Sequence, residues 1–286
     1  MAKLASYSAN GIFPRRSFIR TAACAGLYAA AAPLAALDFL AAPANAGPNW
    51  RGLVGCVKPT LNNSSLVDMI RLLPPGIGVV PVSLNFTEGT REEYQNSYAD
   101  YERSVAYLAS QHCDTISIEG APPFMILGPE SEARLVDGWR RKYNTDMFTS
   151  SQNQVNVLRA MKIKAILGVT PFGAELNGSY AKYFEDCGIG VVSMRGIDVS
   201  FRSIQDVPAD AIYAFIKKKF LEHTGADAVY ILGSPLDALG IVATLEQDLG
   251  VPVVQPTAAR VWEIQRRLHV RQPVKGYGSL LETLPP

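Results

Sequence analysis

The chain has 286 residues, with 27 Lys and Arg against 26 Asp and Glu and a formal charge of +1. That balance supplies no bulk field for nucleic acid or an anionic membrane surface, so no nucleic-acid partner is expected. Three histidines and four cysteines, widely spaced, give neither a zinc pattern nor a disulfide framework.

In chain order, the first signal is Arg15-Arg16-Ser17-Phe18-Ile19-Arg20. An apolar run over 21–42 follows, with Asp38 its only charge, and then Ala44-Asn45-Ala46. A twin arginine, an apolar stretch and a small-x-small site together predict a twin-arginine export signal covering residues 1–46. The reading implies the twin-arginine export machinery as a partner, cleavage near Ala46, and a mature protein in the periplasm that begins near Gly47. A retained membrane anchor is the competing reading. Pro33, Pro43, Asp38 and many alanines make the run weakly apolar for a span of ~20 residues, so no stable span is expected after cleavage. Cys24 follows the arginines too closely for a lipoprotein signal and reads as filler.

About 240 residues remain, enough for one large or two small domains. Residues 53–57 read as a strand, 64–73 as a helix stopped by Pro74-Pro75-Gly76, and 78–84 as a second strand. Tyr94, Tyr98, Tyr101, Val105 and Leu108 recur at helical spacing and predict one helix over 92–111. A strand over 115–118 runs into Glu119-Gly120-Ala121-Pro122-Pro123, which reads as a loop. A helix over 131–142 and a strand over 145–148 follow. The pattern then repeats: helix 151–161, strand 165–169, helix 174–186, strand 190–194, helix 209–223, strand 228–232, helix 237–249 opened by Asp237, strand 252–254, and a last helix over 257–268. Such alternation predicts parallel sheets with helices on both faces. Two halves of similar plan are expected: 47–158, completed by the C-terminal segment 257–286, and 159–256.

In parallel sheets ligands bind beyond the carboxyl ends of strands. The loops to inspect are 58–63, 119–124, 149–152, 170–174, 233–236 and 255–257. None is a dinucleotide or phosphate-binding glycine loop. They are rich in Pro, Ser, Thr and Asn, with Pro59 and Thr60 in the first. Hydroxyls and backbone N–H groups near helix starts suit a carboxylate, and the same residues equally serve as ordinary helix caps.

At these loops the chain resembles the aspartate/glutamate racemase superfamily, in the branch of arylmalonate decarboxylase and maleate cis-trans isomerase. The motifs are Leu72-Leu73-Pro74-Pro75-Gly76, Gly168-Val169-Thr170-Pro171-Phe172 with Glu175-Leu176-Asn177, Leu249-Gly250-Val251-Pro252-Val253-Val254, and Gly276-Tyr277-Gly278. The resemblance runs from about Gly52 to Leu281. It implies an α/β fold of two pseudo-symmetric flavodoxin-like halves with the active-site cleft between them. It also implies a monomer or homodimer, a small carboxylic acid as ligand, and neither metal nor organic cofactor.

Members of that branch use cysteine at the end of a strand in one or both halves. Here the first cysteine position falls on Gly120 and the second on Gly233. Ala121-Pro122 replace the hydroxyl residues that hold the substrate carboxylate, and a proline has no N–H to offer. The second-half tyrosine falls on Phe172, the first-half tyrosine on Tyr94, and a Ser-Gln of isomerase-like members on Ser151 and Gln152. Cys56, Cys113 and Cys187 read as small buried residues.

Two groups could substitute for the thiols. Glu119, at the mouth of the cleft, would be a general base if burial raised its pKa, or else a cap partner. Ser234 could donate a hydrogen bond but has no histidine nearby to activate it. Three functions remain open: an exported lyase or isomerase acting on a small carboxylic acid, a catalytically inactive carboxylate-binding protein, and an interaction protein with a vestigial cleft.

Overall fold

Every strand among the described residues pairs in parallel, in two sheets of the same plan. The computed structural model describes residues 47–61, 64–197, 199–233 and 236–286; the expected export signal and Ser234 lie outside them. The first sheet contains β1 (Gly52–Lys58), β2 (Ile77–Ser83), β3 (Thr115–Ile118) and β4 (Asp146–Thr149), in the order β2-β1-β3-β4. The second contains β5 (Ala165–Thr170), β6 (Gly190–Gly196), β7 (Ala228–Ile231) and β8 (Val253–Val254), in the equivalent order β6-β5-β7-β8.

Helices α1 (Ser64–Leu72), α2 (Arg91–Gln95), α3 (Tyr98–Ser110), α4 (Ala121–Leu127) and α5 (Pro129–Tyr143) connect the strands of the first sheet. Helix α6 (Ser150–Ala160) carries the chain to the second, where α7 (Ala174–Asp186), α8 (Ala209–Leu221) and α9 (Val242–Leu249) follow. Helices α10 (Pro256–Arg267) and α11 (Ser279–Thr283) come after β8.

The central strands are apolar on both faces because both faces are covered. One apolar core lies between the sheets and joins Cys56 and Phe148 of the first to Ile166 and Tyr230 of the second. Separate clusters fill the outer faces, around Val105 and Trp139 in the first half and around Ile212 and Ile216 in the second. Residues 256–265 of α10 are all buried. This helix packs against α6 and α1, so the C-terminal segment seals the first half.

Four expectations need correction. The helix expected over 92–111 is broken after Gln95: Asn96 ends α2, and the Ser97 hydroxyl donates to Tyr94 O at 2.6 Å. The break buries Tyr94 separately from Tyr101, Val105 and Leu108, which α3 sends into the outer core. Residues 121–123 are helical rather than loop. Prolines in a first turn lose nothing, because those N–H groups have no partner within the helix. Asp237 does not open a helix; a 3₁₀ turn over Leu239–Ile241 precedes α9. The helix over 257–268 is not the last, since α11 follows.

Candidate functional site

The strand ends of both halves converge on one cleft. It holds about 650 Å³ of space unfilled by atoms, its mouth included. Lys58, Pro59 and Thr60 reach it from β1, and Glu119, Gly120 and Ala121 from β3. Phe172 arrives from the end of β5, and Leu232 with Gly233 from the end of β7. Ser64 and Ser65 open α1 on the same lining, with Pro122 and Pro123 of α4, Ser150 and Gln154 of α6, and Pro256 of α10.

The wall is aromatic and belongs to both halves. Phe86 meets Tyr94 edge-on at 5.6 Å between centroids, Tyr94 meets Phe172 at 6.4 Å, and Phe172 stacks on Phe201 at 6.4 Å. Burial pushes the Tyr94 hydroxyl well above the ordinary tyrosine pKa, so it stays protonated.

The floor is charged. Period-two alternation puts Cys56 and Lys58 on one face of β1. The pairing of Val57 with Ile118 then brings Lys58 beside Glu119, the next residue on each strand. Lys58 Nζ donates to Ser65 Oγ at 2.9 Å and lies 3.8 Å from Glu119 Oε2. Arg260 reaches the same oxygen from α10 at 3.0 Å. The Cys56 thiol donates to Glu119 Oε1 at 2.7 Å. Lys58, Glu119 and Arg260 are each about 1 % exposed, and their formal charges sum to +1. Burial first, and the Glu119 carboxylate next, push the Cys56 thiol well above its ordinary pKa, which leaves it a neutral donor rather than a nucleophile.

Gly120 and Gly233, the positions where the resemblance leads one to expect the family thiols, sit in the left-handed region at φ +91 and φ +106. A Cβ on Gly120 would collide with the hydroxyl of Tyr101, which donates to Glu119 O at 2.8 Å. A Cβ on Gly233 would meet Pro171 Cδ at 3.0 Å. The backbone at both positions is therefore shaped for glycine.

Of the site residues expected from sequence, Pro59, Thr60, Tyr94, Glu119, Gly120, Ala121, Phe172 and Gly233 line the cleft. Glu119 stands at its floor, ion-paired, rather than free at its mouth. Ser151 and Gln152 do not line it. Ser151 is buried behind β4, where its hydroxyl, those of Thr149 and Tyr183, and the Glu132 carboxylate form one cluster. Gln152 faces a separate surface depression with Arg159 and Cys187. Their neighbours Ser150 and Gln154 face the cleft instead, Gln154 with its amide oxygen taken by the Tyr230 hydroxyl. Sequence reasoning missed Lys58 and Arg260. A lone charge ending the apolar run of β1, and an arginine on the apolar side of α10, were the available signals. Among the described residues, no group of three or more His, Cys, Asp or Glu could hold a metal ion.

A model of the arylmalonate decarboxylase family matches residues 67–281. A maleate isomerase of Geobacillus stearothermophilus is 21% identical over 242 residues, covering 80% of this chain and 96% of that one. A maleate isomerase of Nocardia farcinica is 25% identical over 190 residues, 64% of this chain and 75% of that one. Among solved structures, the maleate isomerase Iso from Pseudomonas putida S16 superposes with a TM-score of 0.75 at 19% identity, covering 82% of this chain and 99% of its own. A double mutant of arylmalonate decarboxylase in its liganded form gives 0.75 at 20% identity, with 81% and 99% covered. The fold is thus the α/β fold of these enzymes.

Proposed function

Because the chain belongs to the arylmalonate decarboxylase family, we propose that it binds a small carboxylic acid in this cleft and acts on it without a cofactor, as a lyase or isomerase. The observation that carries the reading is the cleft itself. Strand ends of both halves line it, with an aromatic wall and a charged floor. Its place at converging strand ends is where parallel α/β sheets take small ligands. Loss of CO2 or of a proton beside a held carboxylate leaves an electron pair that spreads into that carboxylate. A fixed cation nearby stabilises such charge in a site with little water.

The relatives motivate the choice of substrates but do not transfer their nucleophile. One structural neighbour, a cysteine-to-serine mutant of the Nocardia farcinica isomerase, holds a covalently bound succinylcysteine intermediate. No cysteine lines the cleft described above. That observation supports a second reading, a binding protein on the same fold. In both readings the protein works in the periplasm after twin-arginine export and cleavage near Ala46.

Proton NMR in heavy water, with malonates, maleate, aspartate, glutamate and hydantoins offered to the purified protein, separates the readings. Deuterium entering the α-carbon, loss of a carboxylate, or conversion of maleate to fumarate supports the enzyme. Ligand line broadening without turnover supports the binding protein. Neither effect with any acid refutes both.

A further inference from the structure

The two halves place equivalent residues at equivalent strand ends, and the comparison between them is informative. Val57 pairs with Ile118 and Val169 with Ile231, so Lys58 and Glu119 of the first half correspond to Thr170 and Leu232 of the second. The Thr170 hydroxyl donates to Asn177 Oδ1 at 2.6 Å and accepts from Phe172 N at 3.0 Å, so local bonds occupy it. Leu232 offers no polar group. Among the described residues, the β1 and β3 ends of the cleft therefore carry charge and the equivalent β5 and β7 positions do not, although the fold repeats.

Lys58 is the only lysine among the buried described residues. An ammonium has three donors. Among the described residues Lys58 uses one, on Ser65, and its 3.8 Å approach to Glu119 is beyond hydrogen-bond length. Glu119 is shared with Arg260, so one carboxylate faces two cations. A buried ammonium with donors to spare is costly unless an acceptor reaches it, and the cleft is the side from which one can come. Moreover, Pro122 and Pro123 fill the first turn of α4, so the helix start after β3 lacks two N–H groups that could hold an anion.

We propose that Lys58, with Ser65 beside it, is the group that receives a carboxylate of the ligand, and that Glu119 is the fixed counter-ion of the cluster. The inference rests on the reading of the cleft as a carboxylate site. It orients the ligand with its anionic end toward the first half and the rest against the aromatic wall. Removing Lys58 leaves Glu119 and Arg260 as a balanced pair, so the fold survives the test.

The test is isothermal titration of the full-length protein with malonate, maleate, succinate and phenylacetate, and with malonamide as a neutral probe. Wild type is expected to bind at least one acid and not the amide. Lys58→Met is expected to weaken that acid at least tenfold, with Lys58→Gln as a second variant should Met fold poorly. Undiminished acid binding by a folded Lys58 variant overturns the assignment while leaving the carboxylate cleft standing, whereas equal binding of acid and amide overturns both. Failure of wild type to bind any of the acids overturns both.

Discussion

Glu119→Gln should cost far more stability than Lys58→Met, although the two side chains face each other. The glutamate oxygen lies 3.0 Å from Arg260 and 3.8 Å from Lys58. At an effective dielectric of ~20 these separations correspond to attractions of about 5 and 4 kcal/mol, much of which desolvation offsets. Removing one partner from a buried pair costs about 3–5 kcal/mol, because the other charge stays behind. Glu119→Gln leaves two cations behind, whereas Lys58→Met leaves one balanced pair and loses one hydrogen bond, about 1 kcal/mol. A body of this size shifts by roughly 2–4 °C per kcal/mol, so melting should fall by roughly 6–20 °C for Glu119→Gln and roughly 2–4 °C for Lys58→Met. Thermal unfolding and urea titration at neutral pH measure both. If Glu119→Gln stays within about 1 kcal/mol of wild type, the cluster is not the electrostatic unit described and Glu119 becomes available as a base again. The result also bears on activity assays, since loss of turnover in Glu119→Gln would have to be separated from unfolding before a chemical role was assigned.

Burial holds the Glu132 carboxyl above its ordinary pKa despite hydrogen bonds from Ser151, Thr149 and Tyr183. A raised carboxyl binds its proton more tightly folded than unfolded, so stability falls as pH rises from 4.5 through the folded pKa, by at most about 1.4 kcal/mol per pH unit. Glu132→Gln should flatten that fall, and parallel wild-type and mutant curves would contradict the assignment. The buried Cys56 thiol, its pKa raised, should resist alkylation in the native protein at pH 8 and react only after unfolding, as peptide mass spectrometry would show; native labelling would point to an open, reactive thiol. Thiols placed at the two glycines should fail structurally: Gly120→Cys and Gly233→Cys each place a side chain at positive φ, at about 1–3 kcal/mol, with Gly120→Cys also displacing the Tyr101 hydroxyl. Unchanged melting in either variant would show that the backbone accepts a Cβ there.

Alternation of short apolar runs with helical periods carried the parallel architecture because each central strand is covered on both faces. The boundaries that failed did so where local signals compete. Pro122-Pro123 punctuate a loop as readily as they open a helix, and only the chain turn at Gly120 distinguishes the cases. The tyrosine period over 94–108 continues across a break that Ser97 makes by bonding back to Tyr94. Cleft-lining residues at strand ends were legible because a parallel sheet gathers the carboxyl ends of its strands at one edge. Ser151 and Gln152 misled because the chain enters α6 at Ser150, and the turn of that helix sends Ser150 and Gln154 to the cleft instead. Arg260 carried a signal of burial, but its pairing with Glu119 was illegible for another reason: it comes from the far end of the sequence, and that contact is set by the packing of α10 against β3.

The Lys58–Glu119 pair also accounts for what the glycines leave behind. Among the described residues no cysteine stands at these strand ends, and without N–H groups at Pro122 and Pro123 the first turn of α4 is a poor cradle for an anion. Loss of these features alone would leave an apolar slot, and such a slot would need no ionised groups beneath it. The floor instead retains three of them, at about 1 % exposure each, with the Lys58 ammonium on the lining of the cleft. A vestigial cleft gains nothing from that arrangement, since apolar residues of similar volume would serve stability as well or better. Among the described residues the charge stands at the β1 and β3 ends only, where the equivalent positions of the other sheet are Thr170 and Leu232, so a ligand with one anionic end would have one orientation in the proposed site. The proposed recognition of an anion would account for the floor whether or not chemistry follows, and turnover of a bound acid is the property that would separate an enzyme from a receptor.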